Sequence, residues 1–281
     1  MPEGDTVYLS ATNLRRALAG HRLTRTDLRT PHAAAADLAG QVVTEVVPRG
    51  KHMLFRTDGG MTIHSHLRLD GMWYLYAAGR RPPFPAHEIR AIVATAQWQA
   101  VGVLLGVVEV LPTAREADVV GHLGPDPLGP DWDTDEALRR LRERPERELG
   151  DVLLDQRVIA GFGNAYKNEI CYLAGCHPWT RVSEVADLRS LVDVGRRALL
   201  ANRTIGRWVT TGNLAPGQGQ WVFERAGKPC RRCGTPVERT KQNGNGYQRW
   251  TYWCPSCQPG APTAGLARPN RTPPRLTRRR A

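Results

Sequence analysis

Two cysteine pairs near the C-terminal end constrain this chain more than any other feature: Cys230-Arg-Arg-Cys233 and Cys254-Pro-Ser-Cys257, separated by twenty residues. Two knuckles at this separation bring four thiolates around one tetrahedral zinc ion. Protein would then occupy every position on the metal, so a single structural ion is expected and no open site for chemistry. The run between the pairs, RTKQNGNGYQRWTYW, is strand-like and carries Asn-Gly, which predicts a metal-pinned β-hairpin bearing Arg239, Lys241 and Arg249. Cys171 and Cys176 lack a partner pattern and are expected to be small core residues.

Composition narrows the class of partner. Lysine and arginine outnumber aspartate and glutamate by 39 to 27, a net charge of +12. Such an excess favours a polyanion, whose counterions are released on binding. Six of the cations, Arg268, Arg271, Arg275, Arg278, Arg279 and Arg280, fall in residues 260–281, which contain no acid. The start MPEGDT does not read as a secretory leader, and no apolar run is long enough to span a bilayer. A cytoplasmic, monomeric protein with reduced thiols and no membrane partner is expected.

The pattern along the chain predicts an α+β architecture. Residues 7–19, VYLSATNLRRALA, space their apolar positions as an amphipathic helix. Short β-rich runs follow, among them QVVTEVVP, HMLFRT, MTIHSHL, MWYLYA, IRAIVAT and VGVLLGVVEVL, and they predict an N-terminal β-sandwich over residues 1–122. The three prolines of LGPDPLGPDWD make residues 123–133 a linker. A helical region is predicted over 134–220, from TDEALRRLRER, RELGDVLLDQ, NAYKNEICYLAG and VADLRSLVDVGRRALLANR. The metal hairpin occupies 221–258, and 259–281 form a basic, disordered tail.

Within the helical region, LLDQRVIAGFGNAYKNE places a Gly-Phe-Gly-Asn turn ahead of a helix, a geometry in which free backbone amides can approach a phosphate. With Asn164, Lys167 and the downstream hairpin, it suggests two separate phosphate-contacting elements.

At this point the chain closely resembles the formamidopyrimidine-DNA glycosylase and endonuclease VIII family of base-excision repair enzymes. The matching features are Pro2-Glu3-Gly4, the RGK at 49–51, LGPDPL, LLDQRVIAGFGNAYKNE and the hairpin ending CPSCQ, in the family's order from residue 2 to about 258. The resemblance implies a β-sandwich, a helix-two-turn-helix domain and a zinc hairpin acting together on damaged DNA. It also implies that Pro2, once Met1 is removed, is the nucleophile. A terminal amine has a reference pKa of roughly 8, so a useful fraction is neutral near pH 7 and can attack the sugar C1′, whereas a lysine at about 10.4 is almost wholly protonated.

By the same resemblance Glu3 is the proton donor and acceptor, and Lys51 contacts the lesion phosphate and assists β-elimination. Arg249 grips phosphate and supports δ-elimination, and Asn164 contacts the DNA backbone. Leu69 is implied as the wedge filling the space left by an extruded base, flanked by Arg68, and His122 as a basic DNA contact. Cys230, Cys233, Cys254 and Cys257 are the implied zinc ligands.

Two departures stand out. Relatives often carry a second glutamate where this chain has Thr6, preceded by Asp5. The arginine-phenylalanine wedge of the oxidised-purine branch is absent from QWQAVGVLLGVVEVL. The resemblance therefore leans toward the endonuclease VIII branch and oxidised pyrimidines. The alternatives are an oxidised-purine glycosylase of the same fold and a non-catalytic zinc-containing nucleic-acid-binding module.

Overall fold

The computed structural model describes residues 2–244 and 246–260. The predicted basic tail lies outside the described residues, apart from Pro259 and Gly260. Helix α1 (Gly4–Leu18) begins three residues earlier than its apolar spacing indicates and buries Val7, Ala11, Leu14 and Leu18. It packs on a sandwich of two antiparallel sheets. One holds β1 (Arg25–Leu28), β6 (Ile89–Ala94), β7 (Trp98–Val103) and β5 (Met72–Ala77) in that order. The other holds β2 (Val43–Arg49), β3 (His52–Thr57), β4 (Met61–His66) and β8 (Val107–Pro112). Val43, Val46, Phe55 and Ile63 from one sheet meet Trp73, Val93 and Ala100 from the other around α1, one contiguous apolar core.

The run VGVLLGVVEVL, expected as continuous β structure, breaks into β7 and β8. Leu104 adopts φ 49°, a left-handed conformation that ends a strand, and Leu105 turns inward to fill the core. A short helix, α2 (Ala117–Val120), then leads to the proline-rich segment.

Residues 123–127 of that segment are buried, and it is joined to both flanking regions. Gly124 N donates to Gln156 O at 2.8 Å, and Ala160 N to Pro125 O at 3.0 Å. Asp126 receives Gly50 N at 2.6 Å on one carboxylate oxygen and Leu128 N at 2.9 Å on the other. Gly50 has φ 57°, and a Cβ there would stand 3.0 Å from that of Ala160, so only glycine fits so close to the helical region.

The helical region contains α3 (Thr134–Arg142), α4 (Leu149–Val152), α5 (Asn164–Leu173) and α6 (Leu188–Asn202). Asp133 caps α3 by accepting from Asp135 N and Glu136 N, and Asp187 caps α6 through Ser190 N. The stretch RELGDVLLDQ forms only one helical turn. Asp155 takes Arg157 N with its side chain and competes with the helix's own hydrogen bonds. Beyond α6 an irregular segment leads to the hairpin β9 (Glu238–Gly244) and β10 (Tyr247–Trp253), whose register pairs Arg249 with Gln242 and Trp250 with Lys241. Among the described residues, no helix is long and apolar enough to cross a membrane.

Asp126→Ala would leave Gly50 N and Leu128 N without their acceptors, at a cost of about 2 kcal/mol. The expected result is a lower urea midpoint with an unchanged slope; an unchanged midpoint would contradict this account of the joint.

Candidate active site

The Gly161–Asn164 turn sits where the sandwich meets the helical region, and contacts from both sides hold it. Gly4 N donates to Gly161 O at 3.0 Å. Gln156 spans the turn, receiving Gly161 N at 2.9 Å and donating to Phe162 O at 2.8 Å. Lys51 Nζ, from the turn between β2 and β3, donates to the same Phe162 carbonyl. The two chains approach so closely that a Cβ on Gly4 would lie 3.1 Å from Gly161 Cα.

Glu3 completes the grip. It is the N-cap residue of α1 but makes no side-chain bond to that helix. Its carboxylate instead receives Gly163 N at 2.7 Å, Ala165 N at 2.8 Å and Tyr166 N at 3.3 Å, the free amides that open α5. Helix α5 begins at Gly163, which has no side chain to cap it, and a Cβ there would lie 2.4 Å from the Glu3 carboxyl carbon. Glu3 thus caps a helix 160 residues away in sequence.

The electrostatics suit proton transfer. Burial raises the Glu3 pKa above the usual glutamate value, although Lys51 and the α5 amides pull it down. Burial likewise lowers the Lys51 pKa, and Arg249 adds to that while Glu3 opposes it. Pro2, next to Glu3, is buried at the same seam. The structure therefore brings Pro2, Glu3, Lys51 and Arg249 to one place.

Helix α5 carries this arrangement to the hairpin. Asn164 Nδ2 donates to Trp250 O at 3.0 Å, leaving Oδ1 buried without a partner, and Asn168 Oδ1 receives Tyr252 N at 2.7 Å. Lys167, expected to face phosphate, is instead fully buried with Nζ donating to Thr251 Oγ1 at 2.5 Å, and burial lowers its pKa to about 7. It is an internal strut because its position on α5 faces β10. Glu169 receives the amides of Trp221, Val222 and Phe223 and so anchors the irregular segment.

Cross-strand register places Arg249 on the hairpin face of Gln242 and Thr251, toward the α5 side. Arg239 and Lys241 lie around Trp250 on the opposite face, 4.6 and 5.7 Å from the ring centroid. The four hairpin cysteines have their sulfurs within 4.8 Å of one another. Tetrahedral bonds of about 2.3 Å place ligand sulfurs roughly 3.8 Å apart, so this donor set fits one metal ion. The Tyr172 hydroxyl from α5 lies 3.2 Å from Cys230 Sγ and ties the cluster to the same spine. Cys171 is buried and Cys176 partly so.

Leu69 is 50% exposed on the turn after β4, beside Arg68 at φ 56°. Leu104, also 41% exposed and left-handed, lies on the neighbouring turn: a Cβ on Gly71 would fall 2.9 Å from Leu104 O. The left-handed turn at Leu104 is not legible in the sequence, because apolar composition alone does not reveal a strand break. His122 is exposed and 6.2 Å, ring to ring, from His52.

Both carboxylate oxygens of Asp5 are engaged. One of its oxygens receives the Tyr166 hydroxyl at 2.9 Å and the other Thr6 N at 2.8 Å. Thr6 lines a cavity of about 250 Å³ between α1, β5 and the segment after α6, shared with Asn13, Met72, Asn202, Arg207 and Trp208.

A β-sandwich and a helical region joined by a buried carboxylate, with a proline, a lysine and an arginine converging on the seam, set out a site in which charged and proton-bearing groups meet. Residues 1–101 match the formamidopyrimidine-DNA glycosylase N-terminal domain, and residues 123–194 match the formamidopyrimidine-DNA glycosylase H2TH domain. The chain is 51% identical to a probable endonuclease 8 2 of Streptomyces coelicolor, covering 94% of this chain and 97% of that protein. It is 46% identical to the DNA-(apurinic or apyrimidinic site) lyase Nei2 of Mycolicibacterium smegmatis, covering 92% and 99%. The chain belongs to the formamidopyrimidine-DNA glycosylase family. The fold is shared with the Lactococcus lactis formamidopyrimidine-DNA glycosylase crystallised on DNA containing an AP site, at a TM-score of 0.76 and 22% identity over 92% of this chain and 100% of that one.

Cys233→Ser removes one of four thiolates from the cluster. Elemental analysis is expected to fall from one metal ion per chain to substoichiometric content; unchanged content would count against a four-cysteine site.

Proposed function

We propose that the chain is a bifunctional DNA glycosylase and AP lyase of base-excision repair, acting on oxidised bases, pyrimidines foremost, in damaged DNA. The observation that carries this reading is the Glu3 carboxylate, bound by the α5 amides and raised in pKa by burial, beside Pro2 and within electrostatic reach of Lys51.

In this reading the Pro2 amine forms a bond to C1′ while the bond from C1′ to the base breaks, and the proton shed by the amine is taken up by the leaving base. Glu3, protonated more readily than an exposed glutamate, gives its proton to open the sugar, leaving a Schiff base on Pro2. The Glu3 carboxylate left by that step takes the C2′ proton as the 3′ phosphate is expelled, and a further elimination expels the 5′ phosphate. Lys51, with its lowered pKa, is suited to assist the first step and Arg249 to hold phosphate in the second. An extruded base needs a receiving space, and the cavity bordered by Thr6 begins a few residues along the chain from Pro2. Leu69, next to Arg68 and exposed, would serve as the wedge, and Asn164 and His122 would contact the DNA backbone.

The four cysteines would hold zinc, which keeps the hairpin folded so that Arg249 faces the site. With four protein ligands the ion leaves chemistry to the amine. Residues 1–122 would form the catalytic sandwich, 123–133 its joint, 134–220 the DNA-holding helical domain and 221–258 the zinc hairpin.

Borohydride reduction in the presence of an abasic-site duplex is expected to yield a covalent protein–DNA complex. Binding of that duplex without any trapped complex would leave only the non-catalytic module. Glu3→Gln, which keeps the size but not the proton, is expected to slow base excision by about 100-fold or more. Wild-type excision rates in that variant would remove Glu3 from the reaction.

A further inference from the structure

Arg249 stands five residues before Cys254, about 16 Å away at the rise of a strand, so the metal cannot by itself fix the end of the hairpin that carries the arginine. An isolated two-stranded hairpin is only marginally stable. A chain of buried polar side chains that the reaction above does not use crosses both strands at that end.

Helix α5 grips β10 at three successive residues. Asn164, Lys167 and Asn168, spaced to share one face of the helix, meet Trp250 O, Thr251 Oγ1 and Tyr252 N. From Thr251 the chain continues into β9, where the hydroxyl lies 3.1 Å from Gln242 Oε1. Gln242 Nε2 lies 2.9 Å from Glu148 Oε2, at the N-cap of α4, and 2.9 Å from Pro178 O, which also receives Gly150 N at 2.8 Å. Lys167, Thr251 and Gln242 are all buried. A Cβ on Gly150 would overlap Gln242 Oε1, so α4 makes room for this side chain with a glycine.

The donors run in one direction. Pro178 O can only accept, so Gln242 must turn its amide nitrogen to it and to Glu148, which leaves Oε1 facing Thr251. The Thr251 hydroxyl must then donate to Oε1 and receive Lys167 Nζ. Each member is fixed by the next, and loss of the hydroxyl breaks the chain in its middle. Arg249 is the cross-strand partner of Gln242, and its charge acts on both Lys167 and Lys51. Its guanidinium lies 5.4 Å from the centre of the Tyr247 ring.

We propose that Thr251 and Gln242 are positioning residues for Arg249: tied between Lys167 and Glu148, they set the roll of the hairpin against α5 and so place Arg249 at the phosphate that leaves in the second elimination. The inference rests on the lyase reading above. Thr251 belongs to β10 and Gln242 to β9, so the chain pins both strands at once. Helix α5 meets the Glu3 carboxylate at its first turn and Thr251 one turn later, so one rigid element sets the arginine against the acid. The second elimination then depends on this chain, whereas bond formation by Pro2 and the first elimination do not.

An abasic-site duplex labelled at its 5′ end separates the two eliminations on a denaturing gel, because the first leaves an unsaturated sugar on the 3′ end and the second a phosphate. Thr251→Val, which keeps the shape and removes the hydroxyl, is expected to slow the second elimination about 10- to 100-fold, the effect of displacing a catalytic group by about an ångström. The first elimination, borohydride trapping and metal content should stay at wild-type levels. Thr251→Ser should restore the wild-type product ratio, and Gln242→Met, which breaks the chain on the other strand, should repeat the defect. In an Arg249→Ala background Thr251→Val should cost nothing further, since it acts through the arginine. A wild-type product ratio in Thr251→Val and Gln242→Met, equal losses of both eliminations, loss of the metal in both variants, or an additive loss in the double variant overturns the inference and leaves the lyase reading standing. A wild type that stops after the first elimination removes the role of Arg249 and this inference with it. A wild type that forms no trapped complex overturns the lyase reading itself.

Discussion

The carboxylate of Glu3, buried against the first amides of α5, is the contact on which the rest of the arrangement depends. A helix that begins at glycine leaves its opening amides without a local cap, and here a residue from the far end of the chain supplies one. Hydrogen bonds contribute about 1 kcal/mol each, and leaving these buried amides unpaired would cost more, so the set holds two separately cored regions in one register. Because Glu3 adjoins Pro2, whatever fixes the carboxylate also fixes the amine. The same turn presents Phe162 O to Lys51, so three elements far apart in sequence converge through one short glycine-rich turn.

Helix α5 extends that register to the metal hairpin, because its residues from Asn164 to Tyr172 are all buried and nearly every polar one has a designated partner. Tyr166 reaches Asp5 in α1, Lys167 and Asn168 reach β10, Glu169 holds the segment before the hairpin, and Tyr172 touches Cys230. A metal site tied to the end of α5 far from Glu3 would thus set where the hairpin and Arg249 stand. The Thr6 departure fits the same scheme. Asp5 is committed to Tyr166 and keeps a structural part, while the smaller threonine borders open volume.

The features legible in sequence are those encoded locally. Two cysteine knuckles carry their ligand geometry in their spacing, and the helix after GFGN, the strands of the sandwich and the hairpin follow from periodicity and turn residues. Partnerships across long separations left no such trace. Nothing in LGPDPL indicates that Asp126 accepts from Gly50, and nothing in LLDQ indicates that Gln156 clasps the turn five residues on. Lys167 is the instructive failure: next to a phosphate-binding type of turn it reads as a surface cation, yet its helical phase directs it inward to Thr251. The meeting of His52 and His66 likewise required strand register, since their rings come within 4.6 Å only because β3 and β4 pair at those positions.

The central claim is that the seam delivers the Pro2 amine, and not the adjacent Lys51 amine, to the sugar. Peptide mapping by tandem mass spectrometry of the borohydride-reduced complex tests it most directly. The account predicts the sugar remnant on the nitrogen of Pro2 in the N-terminal peptide, with Lys51 unmodified. A remnant on Lys51 Nζ, with Pro2 free, would contradict it.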